Sequence, residues 1–362
     1  MLGKGSMHRL ITTSTILEHE ISELRLLVER QTGVVLDCPN SALAARVADF
    51  VEGQELESST ALLDRLRSCE QDPSSLPTLL DGLINTNTGF FRHPGALHAF
   101  GRQVLPQLCA RKSADIPGPI RIWSAGCGTG EETYSIAMAV CDAINPSNAS
   151  AANNGNGNGS SNGAGKTGAR NGGVAENSQS ATAPAAKLNA GCSIHIVGSD
   201  LLASGIETAD RGVYPQSALE GLPPATIRNY FSKIGSPAGA TNGGQGEGFS
   251  DPVGPQNSTS AAHLLVKSRL RSLVTFNCMN LARPGYIGRF DCIFCMDVLP
   301  QFSRVQRQAV LERLHLYLEP GGYLFLSQTE KLSAPNLNFR SETFDGYTFH
   351  RKPLAASAAY GR

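Results

Sequence analysis

The chain has 362 residues, 41% of them hydrophobic, and its 31 basic and 31 acidic side chains cancel, with a pI near 7.1. That length carries one large unit and one smaller one, each with its own core, and the absent net field excludes charge-driven gathering of nucleic acid or an anionic membrane surface. No apolar run resembles a signal peptide or approaches the ~20 residues needed to span a bilayer, so a soluble cytoplasmic protein without membrane insertion is expected.

From about Thr15 to Leu80 apolar residues recur at helical spacing: Ile16, Ile21, Leu24, Leu27 and Val28, then Leu43, Val47, Phe50 and Val51, then Leu62, Leu63 and Leu66. A small helical unit follows. Residues 1–80 hold one Lys and six Arg against twelve Asp and Glu, a net charge of −5. Patterned sequence resumes at Asp81 and runs to Ile144, then yields to Asn145–Asn189, a tract of Asn, Gly, Ser and Ala with little to bury. Gly235–Ala262 is similar. Both tracts are expected to be disordered insertions looping out of one continuous domain.

The remainder alternates short β-branched or aromatic runs with helical patterns. Arg121–Ser124, Ile194–Ser199, Phe290–Cys295 and Tyr323–Ser327 predict buried strands; Glu131–Ile144, Leu201–Asp210 and Ser303–Leu318 predict helices. Such alternation implies an α/β fold with a doubly wound, mostly parallel sheet and a ligand site at the carboxyl ends of the strands. Nine scattered cysteines, mostly within apolar segments, read as reduced thiols. Cys292 and Cys295 form a C-x-x-C without a second pair or a histidine cluster nearby, so a buried strand is expected there and no metal site.

The first strand enters Gly126-Cys127-Gly128-Thr129-Gly130, and Glu131 and Glu132 open the next helix. Glycines let the backbone turn tightly and approach a ligand that a Cβ would block. The G-x-G-x-G spacing departs from the G-x-G-x-x-G pyrophosphate fingerprint. A cofactor without phosphate could instead meet an acidic residue such as Glu131, although both glutamates could simply complement the helix dipole. The second strand ends at Gly198-Ser199-Asp200, where a carboxylate could grip a ribose diol or cap the helix beginning at Leu201. Gly163–Thr167 imitates the end of a Walker A loop, but Ser160 stands where its first glycine should be, and neither strand nor helix flanks it.

Asn85–Arg92 (NTNTGFFR) resembles the N-x-T-x-F-F-R signature of CheR-type chemotaxis-receptor O-methyltransferases, and Ile122–Met138 (IWSAGCGTGEETYSIAM) is similar to that family's W-S-A-x-x-S-T-G-E-E-P-Y-S-x-A-M. Further similarities lie at Gln31–Gly33, Ser199-Asp200, Arg211–Tyr214, Tyr230-Phe231, Asn280-Leu281, Phe290–Phe302 and Pro320–Glu330. The order holds across nearly the whole chain outside the two tracts. The resemblance implies a Rossmann-like S-adenosylmethionine methyltransferase with a small all-helical amino-terminal domain: residues 1–82 helical, 83–352 methyltransferase interrupted at 145–189 and 235–262, and 353–362 a tail. It implies S-adenosyl-L-methionine as cofactor and a protein glutamate on an acidic, helical, receptor-like partner as acceptor, with the enzyme acting as a monomer.

It further implies that Thr86, Thr88, Arg92, Gly126, Glu131, Asp200, Asn280, Leu281, Met296 and Asp297 contact cofactor, and that Arg92 and Gln301 stand nearest the transferred methyl. Phe90 and Phe91 could pack the cofactor, or at least one could be ordinary core. Where the family has C-R-N-V-x-I-Y-F, this chain has Cys295-Met296-Asp297-Val298-Leu299-Pro300-Gln301-Phe302, and Thr86 replaces an Asn. An arginine fork and a phenol are lost, so binding is expected to weaken and turnover to weaken more. The alternatives are a catalytically impaired cofactor-binding regulatory module and a methyltransferase for small-molecule acids. The acidic amino-terminal unit would repel an acidic receptor helix, which points away from a standard chemoreceptor.

Overall fold

The structure is a computed structural model that describes residues 16–54, 56–69, 76–84, 88–114, 118–144, 192–234, 263–285, 288–332 and 334–354. Thr86 and the tracts 145–189 and 235–262 lie outside the described residues.

Four helices open the chain: α1 (Glu18–Thr32), α2 (Asn40–Gly53), α3 (Ser59–Ser68) and α4 (Leu76–Leu80). In α1 the residues Ile21, Leu24, Leu27 and Val28 form the buried stripe, and they join Leu43, Val47, Leu62, Leu63 and Leu66 in one core. The Ser58 hydroxyl caps α3 by accepting from Ala61 N at 3.2 Å. Gly33 ends α1 at φ +77°, and a Cβ there would lie 2.6 Å from Ala282 Cβ, so the cap also sets how closely α1 approaches the loop carrying Asn280 and Arg283. Both of those side chains donate to Gln31 O, at 3.2 and 3.0 Å.

After α5 (Pro94–Ala99), a π turn over Phe100–Val104 and α6 (Leu105–Ala114), the chain alternates strands and helices. β1 (Ile120–Ala125), α7 (Glu131–Ile144), β2 (Ile194–Asp200), α8 (Ala203–Arg211) and β6 (Val274–Cys278) build one half; β7 (Phe290–Cys295) and β8 (Leu318–Leu326), joined by a helix over Arg304–Tyr317, build the other. With β9 (Arg340–Phe344) and β10 (Tyr347–Arg351) at one edge, the seven strands run β6-β2-β1-β7-β8-β10-β9. The first five are parallel, and β9 and β10 are antiparallel. β3 (Val213–Pro215), β5 (His263–Val266) and β4 (Phe231–Lys233) form a separate antiparallel sheet.

The chain builds outward from β1 through β2 to β6 and then returns to place β7 on the other side of β1. That reversal opens a crevice at the carboxyl ends of β1 and β7. Every residue of β7 is buried, as a central parallel strand covered on both faces requires. Cys292 packs into the core on one face and Cys295 into the core on the other, so the C-x-x-C pair is divided by the sheet. Among the described residues, no helix is long and apolar enough to cross a membrane.

Candidate functional site

The crevice holds a cavity of about 290 Å³, bordered by the tips of β1, β2 and β7, the Thr88–Leu97 segment and the loop after β6. It lies just below the range of about 300–1,000 Å³ for ligand sites.

Three glycines with positive φ carry the turn after β1: Gly126 at +83°, Gly128 at +55° and Gly130 at +96°. A Cβ on Gly126 would lie 2.4 Å from Val298 Cγ2, and one on Gly130 would lie 2.6 Å from Ala209 Cβ. The turn is fastened to β2, because Gly126 N and Cys127 N both donate to Ser199 O, at 2.8 and 2.9 Å. Asp200 completes the fastening. Its Oδ2 accepts from Gly128 N at 2.9 Å and its Oδ1 from Leu202 N at 3.0 Å. Burial raises the Asp200 pKa, and the backbone amides oppose that rise.

The two glutamates that open α7 separate. Glu131 is buried away from the cavity wall, where Oε2 accepts from Thr129 Oγ1 at 2.6 Å and the Thr88 hydroxyl also reaches it. Glu132 lines the cavity, with Oε1 accepting from Ser124 Oγ at 2.7 Å. Burial pushes its carboxyl up to about 7; Ser124 pulls against that rise, while Asp297 and Glu330 reinforce it. The residue types identify an acidic opening to the helix, but only the helix's rotation against the sheet decides which carboxylate meets the cavity.

Phe90 and Phe91 divide in the same way. Phe90 packs edge-on against Tyr214 and Phe231, at ring separations of 5.0 and 5.3 Å, whereas Phe91, at φ +52°, lines the cavity with its N–H bonded to Ser135 Oγ.

The tip of β7 is built differently. Glu330 accepts from Ser327 N, Asp297 N and Leu299 N, at 2.8, 3.2 and 3.1 Å, and so clamps the turn that follows β7. Asp297 adopts φ +58°, a left-handed conformation that Asp and Asn tolerate better than other residues with side chains. Its Oδ2 lies 3.1 Å from Arg92 Nη2 and 3.1 Å from His93 Nε2. Burial lowers the His93 pKa, Asp297 raises it, and Arg92 lowers it further. Gln301 Nε2 donates to Asp297 O at 3.3 Å, and Met296 packs its sulfur against the Tyr347 hydroxyl.

Residues 86–152 and 255–347 match the family model described as CheR methyltransferase, SAM binding domain. Over those two stretches the chain is similar to the CheR-type methyltransferases. It is 27% identical over 312 residues to chemotaxis protein methyltransferase 1 of Pseudomonas aeruginosa, covering 85% of this chain and 89% of that protein. Against the chemotaxis protein methyltransferase of Vibrio parahaemolyticus it is 26% identical over 326 residues, covering 89% and 93%. The matched CheR domain is the one that binds S-adenosylmethionine.

In this CheR-type domain Thr88, Arg92, Gly126, Asp200, Asn280, Leu281, Met296, Asp297 and Gln301 border the cavity, and Glu131 does not. Thr86 lies outside the described residues. The cavity also takes in His93, Glu132, Ser135, Met279 and Phe294, none of which the sequence singled out for the site. His93 directly follows the F-F-R run, so its chain position was the available signal. Phe294 and Met279 look like ordinary core and strand-end residues in sequence.

Proposed function

We propose that this CheR-type domain transfers the methyl group of S-adenosylmethionine to a glutamate side chain on a protein partner of the chemoreceptor kind, forming a methyl ester. The observation that carries the reading is Arg92, whose guanidinium stands on the wall of the cavity shared by Asp200 and the Gly126 turn. The residues fit the cofactor. A Cβ at Gly126 would displace Val298 from the cavity wall, the wall is largely apolar, and its acidic groups suit a ligand that carries cationic sulfur and ammonium groups.

S-adenosylmethionine supplies a methyl group already activated on positively charged sulfur. Asp200, Asn280 and Leu281 would hold its nucleoside portion, and Thr88 and Arg92 would face its reactive end. A glutamate carboxylate with a pKa of about 4.3 is ionised at neutral pH, so the acceptor needs no general base. The chain's task is then alignment: Arg92 offers a planar fork to the acceptor carboxylate, while Phe91, Phe294 and Phe302 exclude water from the cavity. The helices α1–α4 serve as a separate amino-terminal unit in this reading, and the protein acts as a soluble monomer.

The test is transfer of radiolabelled methyl from the cofactor to cytoplasmic fragments of chemoreceptors. Label released as methanol by mild base supports a carboxylate acceptor; base-stable label, or none on any fragment, overturns it. A second reading, a cofactor-binding regulatory module with little turnover, draws on Asp297, whose carboxylate already engages Arg92. Cofactor binding without transfer would favour it.

A further inference from the structure

We infer that Asp297 acts as an internal stand-in for the acceptor: its carboxylate occupies the guanidinium of Arg92 and sets how strongly the site takes an external carboxylate. The inference rests on the reading of Arg92 as the acceptor's partner, and it identifies Asp297 as a positioning and specificity-determining residue.

Three observations carry it. Asp297 Oδ2 lies 3.1 Å from Arg92 Nη2, in a partly exposed pair that borders the cavity. The same oxygen lies 3.1 Å from His93 Nε2, so Asp297 keeps a hydrogen-bond partner when a competing anion takes the arginine. The backbone that presents the carboxylate is fixed independently, by Asp297 N donating to Glu330 Oε2 at 3.2 Å and by the φ of +58°. An incoming carboxylate therefore meets a guanidinium whose charge is already balanced, beside a negative group whose main chain is held in place. Like charges brought together in a partly desolvated site repel. Acceptors that bind through other contacts as well can displace Asp297; a bare carboxylate meets the full competition.

Asp297→Asn is the informative change because Asn matches the side chain in shape and tolerates the left-handed backbone. The full-length protein, saturated with S-adenosylhomocysteine, would be titrated with N-acetyl-glutamic acid α-amide, a single side-chain carboxylate on a neutral frame, with binding followed by NMR. Asp297→Asn should bind this probe at least about tenfold more tightly than the wild type, on the scale of one removed like charge. Adding Arg92→Gln to Asp297→Asn should abolish the gain. Equal affinity in wild type and Asp297→Asn would overturn the inference, as would a gain that survives loss of Arg92. Should Asp297→Asn lose cofactor binding, Asp297→Gly, which also suits positive φ, replaces it in the same titration. Because the readout is binding without turnover, its outcome is separate from whether any protein glutamate becomes methylated.

Discussion

Two of the strand tips that border the cavity carry an aspartate, and the two are held by opposite means. Asp200, at the end of β2, is fixed by backbone amides of Gly128 and Leu202 and ties the glycine turn to the sheet. Asp297, after β7, has its main chain clamped by Glu330 while its carboxylate rests on the side chains of Arg92 and His93. A carboxylate gripped by main chain has little freedom to exchange partners; one gripped by side chains can trade them for a ligand. The first tip thus behaves as scaffold and the second as the adjustable part of the site.

The largest expected effect is at the glycine turn after β1, which the scaffold tip fastens. Gly126→Ala should destabilise the fold by at least about 3 kcal/mol, since it combines a left-handed backbone with a Cβ driven into Val298. Urea unfolding would measure this. At the β7 tip, Asp297→Ala should cost about 1 kcal/mol or less, the range for a partly exposed ion pair. Comparable losses at both positions would erase the distinction.

Next in size is cofactor affinity. Asp200→Ala removes the acceptor for two backbone N–H groups and the carboxylate facing the nucleoside portion of the ligand, so S-adenosylhomocysteine should bind more weakly by about 1.5–3 kcal/mol. Calorimetry on the folded variant decides it, and unchanged affinity would make Asp200 a purely structural cap. Arg92→Lys should leave cofactor affinity nearly intact while lowering turnover at least about tenfold, or ~1.4 kcal/mol, because an ammonium lacks the planar fork. A parallel loss of thermal stability and cofactor binding would instead make Arg92 a brace for the Phe91 turn.

Much of this was legible in the sequence, for physical reasons. Helical spacing in α1–α3 and apolar runs at β1, β2 and β7 report burial directly, and the three strands form within one residue of expectation. The three-stranded sheet β3-β5-β4 escaped because two of its strands have three residues each and one has four, too short for a period to register. The antiparallel β9–β10 edge was also missed; its turn at Asp345-Gly346 holds both residues at positive φ, a hairpin signal present but not taken up. Within the site, motif positions located Asp200 and Arg92. What the sequence could not supply was pairing: that Asp297 meets Arg92 and His93 depends on β7 lying beside β1, a contact spanning some two hundred residues of chain.

Glu132 offers the smallest effect and the finest test, because it senses the β7 tip from the cavity wall. Its carboxyl titrates near 7 in the folded state, driven first by burial, opposed by Ser124 and raised further by Asp297. In the unfolded chain the same group titrates at about 4.3. Across that window the folded state holds the proton more tightly, so this contribution to stability is complete below the lower value and is lost as pH rises through the higher one. Glu132→Gln cannot ionise and escapes the loss. The melting-temperature gap, variant minus wild type, should therefore widen between pH 5 and pH 8. We expect roughly 2–4 °C, equivalent to about 1 kcal/mol in a domain of this size, since solvent in the cavity screens part of the burial. Asp297→Asn removes one negative neighbour and should move the midpoint of the widening to lower pH. Asp200→Asn should not, because Asp200 contributes nothing comparable to the Glu132 carboxyl. A midpoint that shifts equally in both variants would mean that the two tips act on the cavity alike, and the division between scaffold and adjustable tip would fail.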